Sequence, residues 1–189
     1  MSQSGFVLAG GRSTRMGTDK ALLPFRGATL AGYIASQVRE AAGSATLIGD
    51  PARYAALGYP VVADAVPECG PLGGIVTALQ MTQAQWNLIV ACDMPRVSAA
   101  FLSRLLVAAE QAGAACFVPL GPSGRPEPLC AVYHRDCLPG LHRALKSNLL
   151  KMQIVLETLR PRYAPPGELE ALANVNTPRE WALAGAGQP

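Results

Sequence analysis

The sequence predicts a three-layer α/β fold built around a mostly parallel central sheet. Short apolar runs alternate with helical stretches along the chain, and this alternation is typical of crossover connections between parallel strands. The 189-residue chain is 50% hydrophobic and 15% charged, so it can bury a core and does not have a disordered composition. We therefore expect one domain that spans residues 1–189.

The first half of the chain opens with a strand and a capped helix. An apolar run at 5–9 ends at two glycines and predicts a buried strand. Thr29 is a suitable N-cap for a helix that reaches Ala42, and Gly43 is its stop. The other elements predicted in this half are strands at 45–48, 60–63 and 86–92, a short helix at 51–57 and a helix at 72–82.

The second half continues the same alternation. Ser98 predicts the start of a helix that ends before Gly113. Thr177 and Glu180 form a capping box with Pro178 at the first helical position, which predicts a further helix start. The other predicted elements are strands at 115–119 and 129–133 and helices at 136–146 and 149–159.

Charge and cysteine content exclude several classes of protein. The 16 Lys and Arg residues barely exceed the 13 Asp and Glu residues, and no basic run occurs, so we expect no nucleic-acid partner. The five cysteines are odd in number and form no C-x-x-C pair, which predicts reduced thiols in the cytoplasm. No signal peptide or membrane-spanning run is apparent, so we expect no membrane partner.

The segment from 8 to 20 carries the strongest chemical signal. Its glycines allow a ligand to approach the main chain, and three cations stand among them: Arg12, Arg15 and Lys20. Exposed backbone N–H groups beside such cations suit a polyphosphate. The segment is not a Walker A loop, because Lys20 lies between Asp19 and Ala21, and the glycine spacing does not fit the dinucleotide fingerprint.

Parallel strands bring their carboxyl ends, where ligands bind, to one edge of a sheet. We therefore expect the segments 10–20 and 64–74 to meet Asp93 at that edge. A carboxylate placed there can hold Mg²⁺, which typically takes one or two carboxylates plus phosphates and water. Asp93 and Asp64 are also compatible with ordinary turn aspartates.

The motif Leu8-Ala-Gly-Gly-Arg-Ser-x-Arg-Met-Gly-x-Asp-Lys20 resembles the signature of the molybdenum cofactor guanylyltransferases, which have a Rossmann-like nucleotidyltransferase fold. The resemblance continues, in the expected order, at 64, 70–74, 92–95, 125–129 and 174–178. It implies transfer of GMP from GTP to the terminal phosphate of molybdopterin, with release of pyrophosphate and with Mg²⁺ as cofactor. It also implies cofactor-delivery proteins and molybdoenzymes as further partners.

The resemblance assigns roles to individual residues. The implied nucleotide-binding residues are Leu8, Ala9, Gly10, Gly11, Arg12, Lys20, Asp64, Gly74 and Asp93. The implied catalytic residues are Arg15, Lys20 and Asp93, with Asp93 as the metal ligand, and Asn174 and Asn176 lie on the pterin side. The sequence departs from the family where Gly49 and Asp50 replace an Asn. At the position of Glu127 the residue type varies within the family, so the role of Glu127 stays open.

Three other functions remain compatible with these residues. A cytidylyltransferase for molybdopterin is one, although the related cytidylyltransferases carry Ala-Ala-Gly at the place where this chain has Leu8-Ala-Gly-Gly11. A transferase with another phosphate acceptor is the second. A non-catalytic regulator that binds GTP is the third, and it would not need a metal ligand at Asp93.

Overall fold

The computed structural model describes residues 2–10, 19–121, 123–164 and 172. The strands are β1 Gln3–Leu8, β2 Pro24–Phe25, β3 Ala28–Thr29, β4 Thr46–Ile48, β5 Val61–Val62, β6 Trp86–Ala91, β7 Cys116–Pro119, β8 Cys130–His134 and β9 Arg162–Ala164. The α-helices are α1 Leu30–Ala42, α2 Pro51–Tyr54, α3 Pro71–Met81, α4 Ala99–Ala112, α5 Leu138–Lys146 and α6 Met152–Leu159.

A seven-stranded sheet in the order β5-β4-β1-β6-β8-β7-β9 forms the centre of the fold. β1 pairs in parallel with both β4 and β6, β4 with β5, and β7 with β9. β8 alone among these seven runs antiparallel to its two neighbours, β6 and β7. The expected mostly parallel sheet is therefore confirmed, and the carboxyl ends of six strands lie at one edge, which we call the carboxyl edge.

Helices cover both faces of the sheet and produce the three predicted layers. α1 and α4 bury their apolar residues on one face, together with Val7 of β1. α3, α5 and α6 bury theirs on the other face, together with Phe6 and Leu8 of the same strand. The split follows from the alternation of side chains along a strand.

The predicted helix ends agree with the observed caps. The Thr29 hydroxyl accepts a hydrogen bond from the Gly32 amide at 3.1 Å, and Gly43 ends α1 with φ of 76°. The Ser98 hydroxyl accepts from the Phe101 amide at 3.2 Å at the start of α4. These hydroxyls satisfy amides that have no partner within the first helical turn.

Several elements differ from the sequence-based expectation. The hairpin of β2 and β3 and the strand β9 were not expected, because strands of two or three residues are too short to show a period. α6 begins at Met152 rather than 149, since Asn148 has a positive φ of 53° that interrupts the helical path. The predicted capping box at Thr177 lies outside the described residues.

Two further observations concern cysteines and membranes. All five cysteines are free thiols. Within the ranges described above, no helix combines the length and the apolar character needed to cross a bilayer.

Gly5 marks a close approach between β1 and the end of α1. A Cβ atom built on Gly5 would stand 2.4 Å from Val38 Cγ1 and 2.5 Å from the Ser44 carbonyl oxygen. We predict that Gly5→Ala lowers the free energy of unfolding by about 1–3 kcal/mol, because backbone must move to admit the methyl group. Urea unfolding measures the effect.

Gly140→Ala is the matched control for Gly5→Ala. Its Cβ would meet Leu159 Cδ2 at 2.6 Å, the end of a flexible side chain that can turn away, and alanine is the better helix former. We expect its unfolding free energy to stay within about 1 kcal/mol of the wild type. Equal stabilities for Gly5→Ala and the wild type would contradict the packing argument.

Candidate active site

Main-chain hydrogen bonds between strand ends define the carboxyl edge at its centre. The Ala9 amide donates to the Ile48 carbonyl at 2.9 Å, and the Cys92 amide donates to the Leu8 carbonyl at 3.1 Å. These bonds hold together the chain exits of β4, β1 and β6. The chain leaves β1 toward the glycine-rich segment and leaves β6 toward Asp93, so the fold brings these two predicted site segments to one edge.

The first residues of the glycine-rich motif differ in their exposure. Leu8 and Ala9 are buried, and their backbone bonds stabilise the sheet. Gly10 is exposed, and a Cβ built on it would meet nothing within 4 Å. Gly74 is buried in α3, where a Cβ would stand 3.0 Å from Leu8 Cδ2. Among residues 8–10, Gly10 is therefore the accessible one, whereas Leu8 and Gly74 pack against each other.

A buried tyrosine joins the two ends of the glycine-rich segment. The Tyr54 hydroxyl lies 2.7 Å from the Ala9 carbonyl oxygen and 2.8 Å from Asp19 Oδ2. Tyr54 is only 3% exposed, so these bonds lie in a region where unmade polar contacts are costly. The chain enters and leaves the segment between residues 9 and 19 at two points held by one side chain. We call this arrangement the tyrosine clamp.

The residues around the tyrosine clamp support its geometry. Gly49 lies against the tyrosine ring, since a Cβ there would stand 2.7 Å from Tyr54 Cε2. Asp50 caps α2 by accepting the Ala52 amide at 2.9 Å. The Gly49-Asp50 pair that departs from the family Asn thus has a local role: the glycine makes room for the ring, and the aspartate starts the helix that carries it.

Asp19 takes further bonds that fix the exit from the segment. Its Oδ1 atom accepts the Ala21 amide at 3.1 Å, and Arg53 Nη1 lies 3.5 Å from its Oδ2 atom. Burial, followed by the hydrogen bond to Asp19, raises the pKa of the Tyr54 phenol above its ordinary value. The hydroxyl therefore remains a donor near neutral pH, as the clamp requires.

Asp93 and Lys20 lie within electrostatic range of each other at the carboxyl edge. Burial raises the pKa of the Asp93 carboxyl, and the ammonium of Lys20 acts in the opposite direction. An attraction of this kind requires the two groups to be neighbours. The structure therefore brings together two residues that are 73 positions apart in the sequence and that we predicted to act on one ligand.

The neighbouring thiol does not behave as a nucleophile. Burial first, and then the negative charge of Asp93, raise the pKa of Cys92 to about 12. A thiol with such a pKa is protonated at neutral pH, and only the thiolate is strongly nucleophilic. Cys92 instead packs against the hydrophobic cluster on the α1 and α4 face of the sheet.

Asp64 connects the end of β5 to the first turns of α3. Its Oδ1 atom accepts the Val66 amide at 2.9 Å and lies 3.0 Å from Thr77 Oγ1. The same threonine oxygen accepts the Ala65 amide at 3.0 Å. These bonds fulfil the turn interpretation of Asp64, and its contact with a nucleoside stays a prediction.

Five predicted site residues lie outside the described residues: Gly11, Arg12, Arg15, Asn174 and Asn176. In the described part of the chain, no group of three or more His, Cys, Asp or Glu side chains is placed to hold a metal ion. A cation at Asp93 would therefore take most of its ligands from a substrate and from water, as Mg²⁺ commonly does.

Sequence reasoning missed two contributors to this site and left a third open. Tyr54 gave no signal, because a single tyrosine in a short helix forms no pattern. Asp19 belongs to the motif, but nothing in the motif indicates that its carboxylate bonds a tyrosine. Glu127, whose role the sequence left open, comes from the segment that the Ala91 amide bonds at the Leu129 carbonyl, and burial, followed by the charge of Asp93, raises its pKa.

A mostly parallel sheet with a glycine-rich segment after its first strand, and with a lysine and an aspartate at the same edge, defines a nucleotide-binding α/β enzyme. Residues 5–161 match the family described as the MobA-like NTP transferase domain. The chain is 32% identical, over 93% of its length and 92% of the relative, to a probable molybdenum cofactor guanylyltransferase from Flavobacterium johnsoniae. A molybdenum cofactor guanylyltransferase from Serratia proteamaculans is 31% identical over 92% of this chain and 89% of its own.

A solved structure agrees with these relatives. The structure of molybdopterin-guanine dinucleotide biosynthesis protein A from Archaeoglobus fulgidus superposes with a TM-score of 0.81, at 26% identity and with 96% of each chain covered. The chain is a nucleotidyltransferase and belongs to the molybdenum cofactor guanylyltransferase family. The resemblance noted in the sequence and the Rossmann-like fold that it implies are confirmed.

The tyrosine clamp can be tested by removing one hydroxyl. We predict that Tyr54→Phe lowers the free energy of unfolding by about 1–3 kcal/mol, because the buried Ala9 carbonyl and the Asp19 carboxylate lose the one hydroxyl proton that they share. The ring keeps its place against Gly49, so no cavity forms. Urea unfolding measures the change.

Tyr33→Phe is the control for the tyrosine clamp. The Tyr33 hydroxyl accepts a bond from Arg26 at an exposed position, and loss of such a contact usually changes stability by less than about 0.5 kcal/mol. Equal effects of the two substitutions would show that the clamp hydroxyl contributes no more than a surface one.

Proposed function

We propose that this protein transfers the guanylyl group of GTP to the terminal phosphate of molybdopterin and releases pyrophosphate. The product is the guanine dinucleotide form of the cofactor. The reaction belongs to the cytoplasm, where cofactor-delivery proteins and molybdoenzymes would supply the substrate and receive the product. The names and folds of the relatives support the reaction class, and the carboxyl edge described above supports the site.

The observation that carries this proposal is the proximity of Lys20 and Asp93. Lys20 ends the glycine-rich segment after β1, and Asp93 follows β6, the adjacent strand. A cation and a carboxylate at neighbouring strand ends can serve one triphosphate, since the lysine binds phosphate oxygens directly and the carboxylate acts through a divalent cation. The exposed Gly10 leaves space beside them.

The donor chemistry at Asp93 fits Mg²⁺. The carboxylate provides a hard oxygen ligand, and its partial burial favours any cation that offsets its charge. When bound, Mg²⁺ would neutralise the negative charge that grows on phosphate oxygens during transfer. Asp93 is the residue that would hold it.

The chain's own residues would position the phosphates rather than form a covalent bond to them. A terminal phosphate oxygen of molybdopterin attacks the α-phosphorus of GTP, and the bond from that phosphorus to the bridging oxygen of the β-phosphate breaks. Lys20 and Arg15 would stabilise the α-phosphoryl group and the departing pyrophosphate. Arg12 and the amides that follow Gly10 would hold the remaining phosphates.

The attacking phosphate is already ionised at neutral pH, so the step needs no general base. This agrees with a site whose chemical groups are a lysine, arginines and carboxylates rather than a catalytic histidine. Asp64 would face the nucleoside half of GTP, and Gly74 would support that part of the site through its close packing on Leu8. Asn174 and Asn176 would bind on the pterin side.

Nucleotide preference gives the first test. We predict that GTP at about one hundred times its Kd stabilises the protein by about 2.7 kcal/mol, which raises Tm by about 5–10 °C for a chain of this size. CTP at the same concentration is the control and should leave Tm unchanged. A larger shift with CTP would instead assign the chain to cytidylyl transfer.

The role of Asp93 gives the second test. We predict that Asp93→Asn lowers the rate of guanylyl transfer about 100–1,000-fold, because loss of one charge-stabilising group costs about 2.7–4 kcal/mol in the barrier. Mass spectrometry of the dinucleotide product, with pyrophosphate release measured in parallel, follows the reaction.

Asp136→Asn is the matched control for Asp93→Asn. The Asp136 side chain is 78% exposed, and it lies at the opposite edge of the sheet, where the Arg135 amide bonds the Gln85 carbonyl before β6. Its turnover should equal that of the wild type. If Asp93→Asn keeps full turnover, Asp93 is not the metal ligand. If the wild type binds GTP but releases no pyrophosphate, the protein is a regulator rather than a transferase.

A further inference from the structure

Glu127 reaches the carboxyl edge from the connection between β7 and β8. The Ala91 amide at the end of β6 donates to the Leu129 carbonyl at 2.7 Å, and the Cys130 amide donates to the Glu127 carbonyl at 3.1 Å. The Glu127 amide donates to the Pro119 carbonyl at the end of β7 at 2.9 Å. The backbone of Glu127 is thus fixed between two strand ends, beside the exit of β6 that leads to Asp93.

The side chain of Glu127 is held within this connection. A Cβ built on Gly121 would stand 2.6 Å from Glu127 Oε1 and 3.0 Å from its Cγ, so the carboxylate lies directly against a residue that has no side chain. The Gly121 amide donates to the Arg125 carbonyl at 2.8 Å, which closes the connection around the glutamate. Glu127 is only partly exposed.

β6 and β8 pair in antiparallel register with Val90 opposite Cys130, so the chain that runs on to Asp93 lies beside the chain that comes from Glu127. Burial is the first cause of the raised pKa of Glu127, and the charge of Asp93 is the second. Burial also raises the pKa of Asp93. Two half-buried carboxylates that repel each other are stabilised together when a divalent cation lies between them.

The position of Glu127 relative to the glycine-rich segment indicates whether it lies beside the nucleotide or beside the acceptor. β6 has β1 on one side and β8 on the other. The glycine-rich segment follows β1, whereas Glu127 precedes β8. Asp93 therefore stands between the side that would hold the nucleotide and the side that carries Glu127, which is the side left for the acceptor.

We propose that Glu127 is the second protein carboxylate for the divalent cation at Asp93, placed on the acceptor side. This inference rests on the proposed function, because it deepens the metal site assigned there. Mg²⁺ accepts one or two carboxylates and completes its shell with phosphates and water, so the pair Asp93 and Glu127 leaves room for oxygens of both substrates. Glu127 would restrict the cation to the position where donor and acceptor phosphates meet.

The test uses Mn²⁺ as the probe and the full-length protein without nucleotide. Electron paramagnetic resonance of free Mn²⁺ gives the dissociation constant for each variant. We expect Glu127→Gln to weaken Mn²⁺ binding at least tenfold, since loss of even an outer partner of a metal ligand costs about 10–100-fold in affinity. Glu127→Asp keeps a carboxylate and should retain more affinity than Glu127→Gln.

Glu110→Gln is the matched control. It removes one negative charge at the far edge of the sheet, and its amide oxygen can still accept the bond from Gln3 Nε2, which measures 2.9 Å in the wild type. Mn²⁺ affinity should not change. Circular dichroism of each variant establishes that it is folded, and Glu127→Asp serves as the test if Glu127→Gln does not fold.

The outcomes separate this inference from the proposed function. Wild-type Mn²⁺ affinity in Glu127→Gln, together with weakened binding in Asp93→Asn, overturns the role of Glu127 and leaves guanylyl transfer untouched. Weakened binding in both variants supports the two-carboxylate site, whether or not the wild type transfers GMP. Unchanged binding in both variants overturns the metal site itself.

Discussion

The burial of β6 between β1 and β8 is the constraint on which the site depends. All six residues of this strand are buried, and the strand is hydrogen-bonded on both sides. At its end, the Ala91 amide bonds the Leu129 carbonyl and the next amide, that of Cys92, bonds the Leu8 carbonyl. The strand therefore cannot slide relative to its neighbours. The carboxylate of Asp93, two residues beyond the strand, therefore emerges at a fixed point of the carboxyl edge.

The two carboxylates at the carboxyl edge are partly removed from water, and this desolvation disfavours their charged forms. Asp93 is largely shielded from water, and Glu127 adds a second negative charge in the same region. Lys20 offsets part of that cost. An edge of this kind favours ligands that bring both positive and negative groups, and a nucleoside triphosphate with its divalent cation is such a ligand.

The sequence predicted the large features because they depend on long patterns. The apolar runs of β1 and β6 and the caps at Thr29 and Ser98 identify their elements without tertiary information. The same patterns placed Asp93 at a strand end, and the structure brings it to Lys20. The roles given to Arg12, Arg15, Asn174 and Asn176 stay predictions, as does the single domain.

The features that escaped prediction depend on contacts between distant segments. The hairpin of β2 and β3 turns at Arg26 and Gly27, both with positive φ, and its strands have two residues each. The tyrosine clamp joins the helix α2 to Asp19, which lies 35 positions before Tyr54 in the sequence. No local periodicity reports such a bond, because it arises only when β1 and β4 are adjacent.

The reversed direction of β8 has a consequence for how this architecture can change. Every other strand of the central sheet delivers to the carboxyl edge the residues that come after it, whereas β8 delivers those that come before it. The connection from β7 to β8 is therefore a hairpin that begins and ends at the same edge. Insertions there would reshape the β8 side of the carboxyl edge while every hydrogen bond between β1 and β6 stays intact, so the two sides of this edge can diversify independently.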